Sequence, residues 1–184
     1  MPAALLGSTG EARARDGRRI AFATLGQPGG FPILYLHGAI GSPRWRTPEL
    51  EALIVEYGIR YVVVNRPGFA GSDPSPGRRV VDFALDVHDL VDDLGYDRFA
   101  VLGVPAGAPY ALACAWAMPE RVVAIAAASP LAPKFGPGAC RSVRYKLPRV
   151  AFSAPALGPA LASATLGLAR SAHGDEPPGN DRGL

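Results

Sequence analysis

Residues 99–118 read FAVLGVPAGAPYALACAWAM, and the fold is decided in this stretch. Phe99–Gly103 is a short apolar run closed by a glycine, the pattern of a buried strand. Ala106–Met118 is mostly apolar and long enough for three helical turns. Pro109 falls in its first turn, where a missing N–H is tolerated. Between the two stands Gly103-Val104-Pro105-Ala106-Gly107. A strand that passes into a helix through a glycine-bracketed turn is a unit of open α/β sheets. Such sheets place their sites at the carboxyl ends of the strands.

The same rhythm extends both ways. Upstream, Val80, Phe83, Ala84, Val87, Leu90, Val91 and Leu94 recur at spacings of three and four, opposite five aspartates. This predicts an amphipathic helix over 80–94, ended by Gly95. Arg60–Val64 predicts another buried strand, and Thr47-Pro48 starts a helix that runs to Gly58. Pro32–Leu36 predicts a strand ending in His37-Gly38. Asp16-Gly17, between Arg13–Arg15 and the alternating Ile20, Phe22 and Thr24, predicts a hairpin with a type I′ turn. Downstream, Val122–Ala128 predicts a fourth strand of the α/β core. Strands alternating with helices give a mostly parallel sheet with flanking helices.

Composition agrees. Of 184 residues, 48% are apolar and 19% charged, which excludes a disordered polyampholyte. The 22 Gly and 19 Pro follow no three-residue period, so they mark turns rather than a collagen. The net charge is +3, but the basic residues are scattered and almost all arginine, without an aromatic-interleaved stripe. No nucleic-acid partner is expected. Cys114 and Cys140 form neither a disulfide framework nor a ligand spacing. A reducing cytoplasm fits, with no metal and no cofactor. The N-terminus lacks the basic segment of a secretory signal. Val150–Ala169 is uncharged and of bilayer length but broken by Pro155, Gly158, Pro159 and Gly167, so membrane insertion is not expected.

Three motifs fall at the ends of successive predicted strands. They are His37-Gly38-Ala39-Ile40-Gly41-Ser42, Asn65-Arg66-Pro67-Gly68-Phe69-Ala70-Gly71-Ser72, and Gly103–Gly107. In this order, with the Asp-Gly hairpin and the Met118-Pro119-Glu120-Arg121-Val122 turn, the sequence over about residues 10–135 resembles the α/β-hydrolase superfamily. The similarity is to its branch of small-molecule esterases and epoxide hydrolases. The resemblance implies an oxyanion hole made by the backbone N–H groups of Ala39 and Ala106. His37 and Gly38 would support it, and Gly103 and Gly107 would be the elbow glycines. It also implies that position 105 is the nucleophile's.

Here the chain departs from its family. Pro105 has no nucleophilic atom, so covalent catalysis at that position is impossible. Proline is also held near a φ of about −65°, whereas the family's elbow residue has positive φ. The substitution is therefore expected to disturb the elbow and misplace the Ala106 N–H.

The family's acid and histidine come after two further strands, beyond a helical lid. Only 55 residues follow Ser129, and each strand-plus-helix repeat takes about 30. The expected division is the N-terminal part of the core over 1–135, partial lid helices over 136–171 and a disordered tail over 172–184. The sheet is expected to lack its last two strands. Among the histidines, His37 reads as structural, His88 as a surface residue of the aspartate-rich helix and His173 as an accidental match to the acid loop. The helix aspartates and Asp73 read as solvated faces or caps.

The expected function is that of a hydrolase relative, of ester, amide or epoxide chemistry, that is catalytically inactive. The alternatives are a non-catalytic protein that binds a small apolar ligand or a partner on the same fold, and one half of a split hydrolase. In the last case self-association or a complementing chain would use the incomplete sheet edge.

Overall fold

A computed structural model describes residues 7–38 and 47–128. The predicted lid over 136–171, the tail over 172–184, the segment Val150–Ala169 and residue Ala39 lie outside the described residues. A six-stranded sheet organises the rest: β1 (Gly7–Arg13), β2 (Arg19–Gly26), β3 (Phe31–Leu36), β4 (Ile59–Val64), β5 (Phe99–Gly103) and β6 (Val122–Ala127). Its order is β1-β2-β4-β3-β5-β6. The first two junctions are antiparallel, and β4, β3, β5 and β6 run parallel. Three helices connect them: α1 (Pro48–Glu56), α2 (Phe83–Asp93) and α3 (Ala108–Ala117).

The β1–β2 hairpin corrects the expected turn. Arg13 pairs with Arg19, Ala14 N–H donates to Arg18 O (2.9 Å), and Gly17 N–H donates to Ala14 O (2.8 Å). Gly17 has φ +85° but Asp16 does not have positive φ. A type I′ turn needs both residues left-handed, so this is a three-residue loop with a type I turn and a left-handed glycine bulge.

Register is what builds the site. Leu36 lies opposite Val64 on one side and Gly103 on the other. The three strands therefore end at one level, and the residues that follow them (His37, Asn65 and Val104) emerge side by side.

Both faces of the inner strands are covered. On one, Leu34, Leu36, Val62 and Val64 pack with Phe83, Val87, Leu90 and Val91 of α2 and with Ala111 and Cys114 of α3. On the other, Leu25, Tyr35, Tyr61 and Val63 pack with Ile54 of α1. Each such Val, Leu or Phe contributes roughly 1.5–3 kcal/mol by leaving water. α1 starts as its sequence predicts: Leu50 N–H donates to Thr47 Oγ1 (3.2 Å), with Pro48 in the first turn.

α2 begins at Phe83 rather than at the predicted Val80, which is exposed like Val81. Immediately ahead of it, the Arg79 backbone N–H and guanidinium both bind the Asp82 carboxylate. A second correction concerns Asp86, expected on a solvated face. It is 4% exposed and takes a two-point bond from Arg18, Nη2 to Oδ1 at 2.6 Å and Nη1 to Oδ2 at 3.2 Å. The Asp86 hydrogen bond holds the Arg18 guanidinium above its ordinary pKa. Asp73 likewise binds, receiving the Arg19 backbone N–H at 2.8 Å. β6 is the outer strand of the described sheet, and its Val123 and Ile125 are exposed, as are Leu112 and Trp116 of α3.

Candidate functional site

At the end of β3, His37 is fully buried and both ring nitrogens are used. Nε2 accepts the Arg66 backbone N–H at 3.3 Å, which assigns the proton to Nδ1, and Nδ1 donates to the Gly38 carbonyl at 2.8 Å. Burial lowers the His37 pKa. The bond to Gly38 opposes that shift, and the Arg66 charge adds to it. The ring also meets Phe69 edge-on, with centroids 5.0 Å apart. His37 is thus neutral and held at both ring nitrogens.

The loop after β4 is wired to its surroundings by side chains. Arg66 Nη2 donates to the Gly38 carbonyl at 2.8 Å, so that oxygen is held from two sides. Asn65 Nδ2 donates to Ala70 O at 3.0 Å. Ser72 Oγ donates to Asn65 O (2.8 Å) and accepts Ala21 N–H (2.9 Å), tying the loop to β2. The chain can double back here because Gly68 (φ +84°) and Gly71 (φ +93°) take left-handed conformations. Ala70, at φ +38°, is the one described non-glycine residue that does the same.

At the junction of β5 and α3 the wiring is replaced by close packing. Val104 is extended and its N–H donates to Leu36 O at 3.1 Å. Pro105–Gly107 then form a single 3₁₀ turn that runs straight into α3. A Cβ on Gly103 would sit 2.7 Å from Ala108 Cα, and one on Gly107 would collide with the Leu36 carbonyl. A Cβ on Gly38 would come within 2.8 Å of Pro105 Cδ. The elbow glycines and Gly38 are therefore required by contact, because backbone meets backbone or the proline ring there.

Pro105 lacks the positive φ of a nucleophile elbow. In its place Pro105–Gly107 form the 3₁₀ turn that leads into α3. Ala106 is the second residue of that turn, among the N–H groups that a helix start leaves without an intrahelical acceptor.

Two described nucleophilic side chains near these loops are committed elsewhere. Ser72 uses its hydroxyl twice, and burial pushes the Cys114 thiol up to about 12, too high to form a thiolate. His88 is half-exposed on α2 and faces Asp92 at 3.1 Å, as a surface reading implies. Among the described residues no group of three His, Cys, Asp or Glu could hold a metal ion. No described helix is long and apolar enough to cross a membrane.

One cluster has no counterpart in the sequence reading. The Arg66 guanidinium carbon lies 4.9 Å from the Phe69 ring centroid and 5.1 Å from that of Tyr110. Arg78 lies 5.7 Å from the same Tyr110 ring. Burial lowers the Arg66 pKa; the Tyr110 hydroxyl opposes the shift and the Arg78 charge adds to it. Arg66 belongs to the Asn65–Ser72 motif, but Arg78 and Tyr110 stand outside any motif, and only the folded chain brings them to it.

Three strand ends, aligned by register at the carboxyl edge of a sheet ordered β1-β2-β4-β3-β5-β6, give the scaffold of an α/β hydrolase. The pattern that describes the alpha/beta hydrolase fold matches residues 32–164, and the chain belongs to that family.

Its relatives span several activities. A 2-hydroxy-6-oxononadienedioate/2-hydroxy-6-oxononatrienedioate hydrolase of Pseudomonas putida is 35% identical over 119 residues, covering 60% of this chain and 41% of that protein. The proline iminopeptidase of Neisseria gonorrhoeae is 29% identical over 100 residues, covering 53% and 32%. Among solved structures, an esterase from Rhodococcus sp. superposes with a TM-score of 0.59 at 25% identity, over 67% of this chain and 46% of that one. The chain thus spans less than half the length of each of these proteins.

Proposed function

We propose that this chain keeps the strand-end scaffold of an α/β hydrolase without covalent catalysis at its nucleophile position. The observation that carries this reading is Pro105. It occupies the turn between β5 and α3, has no nucleophilic atom, and sits in a relaxed 3₁₀ turn. Two further observations support it: neither Ser72 nor Cys114 offers a substitute nucleophile, and both His37 nitrogens are engaged. The chemistry from which the scaffold derives is hydrolysis of a small ester, amide or epoxide. Ala39 and Ala106 are the oxyanion donors in that reading.

The test uses the 184-residue chain with p-nitrophenyl acetate and a fluorophosphonate probe. The expected result is turnover no higher than that of a heat-treated control and no covalent adduct. Turnover, or an adduct on any residue, overturns the reading. P105S restores a hydroxyl, but among the described residues His37 is committed and His88 faces Asp92 on α2, so it is expected to stay inactive.

A further inference from the structure

Half of the arginines in the described region answer to a carboxylate. Arg15 binds Asp89, Arg18 binds Asp86, Arg19 binds Asp73, Arg79 binds Asp82 and Arg121 binds Asp92. Arg66 and Arg78 do not: among the described residues neither has an acidic partner, although both lie within reach of one ring, that of Tyr110. Arg66 is 6% exposed; it donates to Gly38 O, and the Tyr110 hydroxyl also acts on its guanidinium. The Nε of Arg66 and the Nε of Arg78 are both buried without an acceptor. Leaving buried donors of a charged group unmade is unfavourable, and placing two cations beside one ring adds repulsion.

We infer that Arg66, Arg78 and Tyr110 form a binding site for the carboxylate of a small organic acid. Its anion supplies acceptors and a charge that the described residues do not. Guanidinium forks match a carboxylate in two-point geometry. The surroundings favour an acid with an apolar body over a hydrated phosphate: Phe69 stacks under Arg66, and the Tyr110 ring faces both guanidinium groups. Tyr110 and Arg78 are partly exposed, so the site opens to solvent. It lies beside the candidate catalytic loops, because Arg66 holds Gly38 and Gly38 faces Pro105. The inference does not depend on whether residue 105 is silent, since binding is read without turnover.

The experiment is a calorimetric titration of the full chain with benzoate, benzamide and inorganic phosphate at low ionic strength, where an unscreened site shows best. Benzoate is expected to bind saturably and more tightly than benzamide or phosphate. Arg78→Gln is expected to weaken it on the order of tenfold, the loss of one charge-assisted contact. Arg79→Gln, one residue along and already paired with Asp82, is expected to leave it unchanged. The proposal is overturned by any of three results: no saturable benzoate binding, equal affinity for benzoate and benzamide, or equal benzoate affinity in wild type and Arg78→Gln. Phosphate binding tighter than benzoate overturns the carboxylate assignment.

Discussion

The loop after β4 and the turn before α3 stand side by side at one edge of the sheet, yet they are built on different principles. The first is held by side chains: Ser72 to Ala21 and Asn65, Asn65 to Ala70, and Arg66 to His37 and Gly38. The second is held by the absence of side chains, with Gly103 and Gly107 letting α3 close on the ends of β3 and β5. The difference teaches which parts of a catalytic scaffold are structural in their own right. Neither device uses the atom that a nucleophile would supply. Position 105 can therefore carry proline while both neighbouring loops keep their architecture.

Gly107→Ala tests this contrast with the largest expected effect. Its new methyl would meet the Leu36 carbonyl and the His37 carbonyl oxygen, neither of which can swing aside, so α3 would have to lift from the sheet. A loss of about 3 kcal/mol or more in urea unfolding is expected, at the upper end of overpacking costs. Gly77→Ala is the comparison: with φ +74° and nothing within 4 Å, it should lose only the roughly 1–2 kcal/mol of left-handed strain. Equal losses in the two variants would show that contact at the junction does not matter.

The junction was legible in the sequence because its cause is local. Gly103 and Gly107 stand at fixed offsets between an apolar strand run and an apolar helix, and β3 and β4 announce themselves in the same way. Misjudged features have causes at a distance. Asp86 looks solvated on the helix period, but Arg18 arrives from the hairpin to bury it. The helix start at Phe83 follows the Arg79–Asp82 pairing, which competes with the apolar period that pointed to Val80. The hairpin turn depends on the φ of Asp16, which an Asp-Gly pair does not fix. The Arg66–Arg78–Tyr110 cluster draws on a loop, a connection and a helix, so no spacing in the chain could reveal it.

The side-chain-wired region differs from the junction in one further respect: it titrates. His37 is neutral when folded, with its pKa lowered chiefly by burial from an ordinary value of 6.5. Below about pH 6.5 the unfolded chain takes up a proton that the folded chain refuses. Stability is therefore fully present above that pH. It is lost as pH falls towards the folded pKa, by at most about 1.4 kcal/mol per pH unit for one proton. His37→Gln should flatten that slope in urea titrations between pH 7 and the lower pKa, whatever its own cost at pH 7. An unchanged slope would mean that the imidazole takes up its proton equally in both states.

The smallest effect lies where the two regions touch. Gly38 belongs to the wired side, and the atom a methyl on it would meet first is Pro105 Cδ at 2.8 Å, with Val104 O next at 3.2 Å. If the proline ring limits this approach, Gly38→Ala should cost less in a Pro105→Ala background, where Cδ is gone and only the carbonyl contact remains. A double-mutant cycle is expected to return a coupling of about 1 kcal/mol, typical of residues in direct contact. Additive losses would place the limit at Val104 instead. Gly38 would then owe its identity to the strand end rather than to Pro105.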